Sequence, residues 1–254
     1  MNVPIAVQYA SERMTGSFAV GADARLSVRD SFQSALLGLR LVPIALRMSE
    51  DAHSALGPIY DDAASTRLLR NVAVDVLRYC NCRLARKQAI TSTLGDRTSD
   101  FLVPFVAAGD WIAHRLDGKP VGINDLDISD LASQNTLSVQ QRDEYCDFHA
   151  TLRRCAKGSY AQSVQLAVEE VLDGSLLISR CSVGDRKDTV ASAQLIPAIV
   201  GFVMGAQCGV AQLPVLWQLA LRQDAAQRND IDREETLRIA NKTYERWAGV
   251  LDKT

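Results

Sequence analysis

Apolar residues recur at spacings of three and four along most of this chain, and no stretch shows a sustained alternation of apolar and polar positions. Such spacing places side chains on one face of a helix, because an α-helix turns about once every 3.6 residues. The pattern predicts a helix over 31–48 and another from about Asp61. Their apolar faces comprise Phe32, Ala35, Leu36, Leu39 and Val42 in the first and Leu68, Leu69, Val72, Val76 and Leu77 in the second.

Glycine and proline mark the expected breaks between helices. Pro43 should kink or end the first helix, because proline lacks the backbone N–H and clashes with the preceding turn. Gly57 and Pro58 predict a turn before the second helix. The segment 117–136 combines glycine, proline and several Asx residues, so we interpret it as a long surface loop.

The rest of the pattern is also helical. Asp232 is followed three residues later by Glu235, which resembles a capping box with Asp in place of Ser or Thr. The sequence therefore predicts an all-α fold with a single compact helical domain over 28–254, preceded by a flexible N-terminal arm over 1–27. Further helices are expected at 100–116, 137–156, 160–173, 190–208, 212–228 and 232–252.

Composition narrows the class of protein. The 254 residues include 28 basic and 30 acidic ones, and the resulting net charge of −2 gives no electrostatic basis for binding nucleic acid or a membrane surface. The longest apolar run, 195–206, is interrupted by Pro197 and is too short to span a bilayer. No signal peptide is evident, and the six cysteines lack zinc-site spacing. We expect a cytoplasmic protein with reduced thiols.

Three glycines near the C-terminus lie four residues apart. In "PAIVGFVMGAQCGVAQLPVLW" Gly201, Gly205 and Gly209 share one helical face, where the lack of side chains lets another backbone approach closely. The glycines are followed by Leu213-Pro214 and then Trp217. This order resembles the closing segment of the ADP-ribosylglycohydrolase family, in which a glycine-rich helix runs into a turn with Pro and a nearby Trp.

Other segments occur in the order that this family would have. "FQSALLGLRLVPIALR" (32–47) is similar to the family's opening helix, and "YDDA" (60–63) is similar to its TDDT motif. "TSDFLVPFVAAG" (98–109) is weakly similar to a Met-Arg-x-x-Pro segment and shares only Pro104. The resemblance covers residues 30–220. It implies an all-α fold with a central cleft that holds two magnesium ions, which orient a ribose and a water for cleavage of a glycosidic bond to ADP-ribose.

The family's metal-site motifs are only partly present. Asp61 and Asp62 match the carboxylates of TDDT, but Tyr60 and Ala63 replace its threonines. An alternative function for the doublet is to cap the helix and complement its dipole. The Gly-Asp of the opening motif falls on Val42-Pro43.

The second motif, GGDTDT, finds carboxylates here only if about six residues are inserted before the glycine helix. The segment "VGDRKDTV" (183–190) then supplies Asp185, Asp188 and Thr189. Arg186 and Lys187 stand between these carboxylates and would compete with a metal for them. A charged surface turn with a helix cap at Asp188 is the alternative.

Two chemistries outside this resemblance find little support. The segment "NDLDISD" (124–130) lacks the central Gly and the terminal Glu of a calcium loop. Cys146 and His149 lie three apart on an expected helix, where a semi-buried helix face is the favoured interpretation over a catalytic pair.

Three hypotheses follow. The first is a degenerate ADP-ribosylglycohydrolase-like protein that binds ADP-ribose, a nucleotide or a protein partner, including an ADP-ribosylated one, without hydrolysis. In it the resemblance puts ligand contacts at Gly184, Gly201, Gly205 and Gly209, and no cofactor is needed. The second is an active Mg²⁺-dependent hydrolase whose metal ligands are Asp61, Asp62, Asp185, Asp188 and Thr189. The third is a helical protein-interaction module. Whether the chain is an enzyme stays open, and the replaced motif residues favour the first hypothesis.

Overall fold

A computed structural model describes residues 26–48, 63–116, 139–155, 159–172, 186–228 and 232–250. Nine α-helices and two short 3₁₀ turns account for nearly all of these residues, and the same residues include no strand. The all-α class is therefore confirmed for the described part of the chain. The helices are α1 Val28–Met48, α2 Ala63–Arg78, α3 Arg83–Leu94, α4 Thr98–Leu116, α5 Val139–Cys155, α6 Tyr160–Leu172, α7 Arg186–Cys208, α8 Val215–Arg228 and α9 Arg233–Trp247.

Helix α7 occupies the centre of the fold and packs most extensively against α1, and also against α6 and α4. Ten consecutive residues of α7, from Pro197 to Ala206, are buried. A helix that is apolar on all sides is expected to be surrounded by other helices. Helices α2 and α9 cover other faces of α1.

Three helices contain an internal proline, namely Pro43 in α1, Pro104 in α4 and Pro197 in α7. An internal proline costs roughly 3 kcal/mol because it removes one backbone hydrogen bond and crowds the previous turn. Each of these helices buries apolar side chains on more than one neighbour, which offsets that cost. The helix accordingly continues through Pro43 to Met48, so Pro43 does not end it, while the alternative of a kink at Pro43 stays a prediction.

Several helix boundaries differ from the sequence-based ones. Helix α7 begins at Arg186, four residues before the predicted start at 190. Asp188 therefore lies in its first turn, so the expectation that it caps the helix from outside was wrong. Helix α8 begins at Val215 rather than at 212, because Val210–Gln212 forms a 3₁₀ turn after Gly209. Helix α9 ends at Trp247 rather than at 252.

Helix α3 was missed by the sequence analysis. Its sequence, RLARKQAITSTL, is largely polar, and only Arg86, Ile90 and Leu94 are buried. These three lie four residues apart and form a narrow inward stripe. One of the three is an arginine, so the stripe does not look apolar in the sequence.

The cap of α9 was predicted in part. The Asp232 carboxylate accepts a hydrogen bond from the backbone N–H of Glu235 at 2.8 Å, as an N-cap residue should. The Glu235 carboxylate instead pairs with Arg238 on the next turn. That pairing lowers the pKa of Glu235 through hydrogen bonding to the guanidinium. Asp232 thus caps the helix, while Glu235 belongs to an ion pair on its exposed face.

Candidate functional site

The predicted glycine face of α7 lies against the backbone of α1. A Cβ atom on Gly205 would collide with the carbonyl group of Ser34, and a Cβ atom on Gly38 of α1 would collide with the carbonyl group of Gly201. The two helices therefore touch through their backbones at two levels, one turn apart. The inference that small residues permit a close backbone approach is confirmed for Gly201 and Gly205. The prediction that Gly209 shares their helical face was wrong, because α7 ends at Cys208.

Gly209 closes this contact at the end of α7. Its φ of +80° is a left-handed conformation that side-chain-bearing residues rarely adopt. A Cβ atom there would also lie 2.6 Å from a carboxylate oxygen of Asp30 and 2.7 Å from the side chain of Leu26. Packing thus accounts for Gly205, and packing together with backbone conformation accounts for Gly209. A ligand-binding function for Gly201, Gly205 and Gly209 stays a prediction.

Most of the predicted metal ligands lie outside the described residues. These are Asp61, Asp62 and Asp185, together with Gly184. Asp188 and Thr189 fall on the first turn of α7, where the backbone alone is described. Within the described ranges, no three His, Cys, Asp or Glu side chains come together as metal ligands would. The described residues therefore do not test the predicted magnesium site, which stays a prediction.

A buried ionic cluster lies between α3, α4 and α5. Arg86 and Asp110 form an ion pair with side-chain exposures of only 2% and 5%. Arg83 approaches the second carboxylate oxygen of Asp110 at 3.2 Å. The Tyr145 hydroxyl of α5 donates to that same oxygen at 3.1 Å. One carboxylate thus joins three helices.

Arg86 is further fixed by the turn that precedes its own helix. Its guanidinium donates to the carbonyl oxygen of Cys80 at 2.5 Å. Gly109 of α4 makes room for it, since a Cβ atom there would lie 2.5 Å from the Arg86 Nε atom. A buried guanidinium needs both a counter-charge and hydrogen-bond acceptors, and Arg86 has them.

Buried titratable groups are shifted towards their neutral forms. Burial raises the pKa of the Cys80 and Cys208 thiols to about 11. Burial, reinforced by Asp110, raises the pKa of Tyr145 well above its usual range. Burial, with a smaller contribution from Cys208, also raises the pKa of Tyr160 well above its usual range. Desolvation disfavours charge, so these groups stay protonated at neutral pH. A reactive nucleophile needs the opposite shift.

His149 of α5 lies beside this cluster. Burial, followed by the charge of Arg153, lowers its pKa to about 4, so the imidazole is neutral at pH 7. Neither ring nitrogen has a hydrogen-bond partner. Cys146 is therefore not hydrogen-bonded to His149, and this geometry does not form the base–nucleophile contact of a catalytic pair.

The described residues include a small cavity and a group of exposed apolar side chains. A cavity between α1, α2 and α9 has a volume of about 10 Å³, roughly the space of one water molecule. By contrast, α8 exposes three apolar side chains at its start, Val215 (69%), Leu216 (73%) and Leu219 (49%). Their offsets of one and four residues place them on one helical face. We call these three residues the α8 patch.

None of the helices in the described ranges is both long enough and apolar enough to cross a membrane. Comparison of the chain with family models, with curated proteins and with solved structures gives no match.

Proposed function

We propose that this chain is a non-hydrolytic binding protein with an ADP-ribosylglycohydrolase-like helical scaffold, and that its ligand is a protein partner. Support for the scaffold comes from the backbone contact between α1 and α7, the two segments that resemble the opening and closing helices of that family. Support for a lost reaction comes from the replaced motif residues Tyr60, Ala63 and Val42-Pro43.

The α8 patch is the observation that favours a protein partner. Val215 and Leu216 are each more than two-thirds exposed, and Leu219 extends the same face by one turn. Single exposed apolar residues are ordinary, whereas a cluster on one face is typical of interaction sites. Leu84 on α3, which is 61% exposed with no apolar cluster described around it, provides a natural comparison.

A small-molecule ligand has less support from the residues that the structure describes. The cavity between α1, α2 and α9 has a volume of about 10 Å³, whereas a pocket for a nucleotide-sized molecule usually has several hundred Å³. An ADP-ribosylated protein remains a candidate partner, since it would bring its own protein surface to the α8 patch. Free ADP-ribose is the second candidate ligand, on the strength of the family resemblance.

Affinity capture with matched variants tests the proposal. The wild-type chain, a double variant Leu216→Lys/Leu219→Lys and the control Leu84→Lys serve as baits in the same extract. We expect a protein that is retained by wild type and by Leu84→Lys and is lost with the α8 variant. All three baits should show the same helical circular dichroism, because the substituted side chains are exposed.

Calorimetry with ADP-ribose separates the two ligand classes. Saturable binding of free ADP-ribose that is unchanged in the α8 double variant would move the proposal to the small-molecule ligand. Equal capture of every protein by all three baits would contradict a function of the α8 patch.

A further inference from the structure

His149 is a buried polar side chain with no polar contact. It is 1% exposed, and both of its ring nitrogens are enclosed without a hydrogen-bond partner. Buried polar atoms are nearly always paired, because an unpaired one loses its hydrogen bonds to water and gains none. An imidazole in this position therefore contributes little that a hydrocarbon ring would not, while it retains the ability to take up a proton.

Aromatic rings hold His149 between α5 and α4. The Trp111 ring of α4 lies 5.3 Å away, centroid to centroid, and is tilted by 52°. The Tyr145 ring lies 6.0 Å away on the preceding turn of α5 and is stacked at 16°. Tyr145 in turn donates its hydroxyl proton to Asp110. The imidazole thus contacts the two rings that join α5 to the ionic cluster.

The charges around this position are unfavourable for a cation. Arg83 and Arg86 both lie against the carboxylate of Asp110, so two guanidinium groups are already held in this cluster. Arg153 lies one turn further along α5 and disfavours protonation of the ring. Among the side chains that the structure describes on the other helices packed against α5, the titratable or charged groups are Asp110, His114 and Arg115 of α4 and Tyr160 and Glu169 of α6.

We propose that His149 is a proton-operated latch that keeps α5 on α4 while its imidazole is neutral and releases α5 when the imidazole is protonated. A proton on the ring would place a charge on a buried side chain that has no hydrogen-bond acceptor for either N–H. Attraction of the imidazolium to the faces of the Trp111 and Tyr145 rings is weaker than the cost of burying a charge without a hydrogen-bond partner. Opening of α5 lets water solvate the ring.

The sign of the pH dependence follows from the difference in the pKa of His149 between the packed and the open state of α5. The pKa of His149 is about 4 in the packed state and its ordinary value is 6.5. The open state therefore binds more protons between these values, and packing of α5 weakens as the pH falls through this window. From pH 7.5 to pH 5 the opening equilibrium constant should rise by about 25-fold.

Two measurements on the full chain test the latch. Titration of the histidine ring protons by NMR should give His149 a midpoint near pH 4 in the folded protein. Amide exchange of α5, corrected for its intrinsic pH dependence, should show an increase in opening of about 25-fold from pH 7.5 to pH 5. The variant His149→Phe keeps an aromatic ring and cannot titrate, so its α5 should lose most of this pH dependence.

The controls separate a latch from a merely structural ring. His114→Gln should leave the pH dependence of α5 as it is in wild type. Arg153→Gln should raise the midpoint of His149 and reduce the pH dependence, because it removes a repelling charge. A His149 midpoint within about half a unit of 6.5 in the folded chain would overturn the proposal. So would an unchanged α5 profile in His149→Phe. If this variant does not fold, the wild-type titration and exchange data decide alone.

Discussion

Two regions hold the helices together by opposite means. Between α1 and α7, glycines remove side chains so that backbones touch at Gly38–Gly201 and Ser34–Gly205. Between α3, α4 and α5, long side chains reach one carboxylate, Asp110, from three directions. The first contact tolerates no additional atom. The second tolerates no missing partner, because Arg86 and Asp110 are buried together as an ion pair.

This difference also explains what each region can do. Where Gly38 and Gly205 lie, the contact between α1 and α7 leaves no room even for a Cβ atom, so it serves the scaffold. The ionic cluster contains titratable groups, and its balance of charge depends on pH through its neighbour His149. A change of conditions should therefore act first on α5 and leave α1 and α7 packed.

The largest expected effect comes from breaking the ionic cluster. Asp110→Ala removes the counter-charge of Arg86 and the acceptor of Tyr145, and should lower the free energy of unfolding by about 3–5 kcal/mol. Denaturant unfolding at neutral pH measures it. The double variant Arg86→Met/Asp110→Leu removes both charges and should recover most of the loss. A loss below about 1 kcal/mol in Asp110→Ala would show that the pair is solvated.

The substitution Gly205→Ala tests the backbone contact, because the sign of its effect on the free energy of unfolding depends on whether the added methyl group has space. On an exposed helix face Gly→Ala would stabilise by up to about 1 kcal/mol. Here the added carbon meets the Ser34 carbonyl group, so we expect a net loss of about 1–3 kcal/mol. Gly249→Ala is the matched control, since that glycine has a φ of +71° and open space around it. It should cost only the backbone strain, about 1 kcal/mol. Stabilisation by Gly205→Ala would rule out the close approach.

The cap of α9 should have a smaller effect than either contact. Asp232→Ala leaves the backbone N–H of Glu235 without its acceptor and should cost about 1 kcal/mol. Thermal unfolding followed by circular dichroism measures it. Asp232→Asn retains an acceptor oxygen and should recover most of the stability. Equal losses in the two variants would indicate that the carboxylate charge, rather than the hydrogen bond, stabilises the helix.

The smallest effect on stability is expected at the α8 patch. Leu216→Lys changes a side chain that is 73% exposed, and should alter the free energy of unfolding by no more than about 0.5 kcal/mol. The same change should abolish retention of the partner in the capture experiment. A loss of more than about 2 kcal/mol would mean that Leu216 is covered within the folded chain rather than offered to a partner.

The backbone contact could be predicted from the sequence, and the ionic cluster could not. Gly201 and Gly205 lie in one helix, so their spacing alone puts them on one face. Arg86 and Asp110 are 24 positions apart and Asp110 and Tyr145 are 35 apart, on three different helices. Only the packing of those helices determines that the side chains meet. The sole local signal was the stripe Arg86, Ile90 and Leu94, in which an arginine occupies an inward position.

Prolines show a second limit of local patterns. The rule that proline ends a helix considers only the local cost of the lost backbone hydrogen bond and the steric clash. In α1, Leu41 precedes Pro43 and Ile44 follows it, and both side chains are buried in the core. Tertiary packing therefore outweighs the local cost, and packing is not visible in a window of a few residues.

The proposed function requires that this chain binds no pair of magnesium ions. Calorimetric titration of the folded chain with Mg²⁺ through the millimolar range tests it most directly, with Asp61→Ala as the matched variant. We predict no saturable heat in either protein and identical circular dichroism. Saturable Mg²⁺ binding by the wild-type chain that is lost in Asp61→Ala, with the fold intact, would contradict the account and restore the hydrolase.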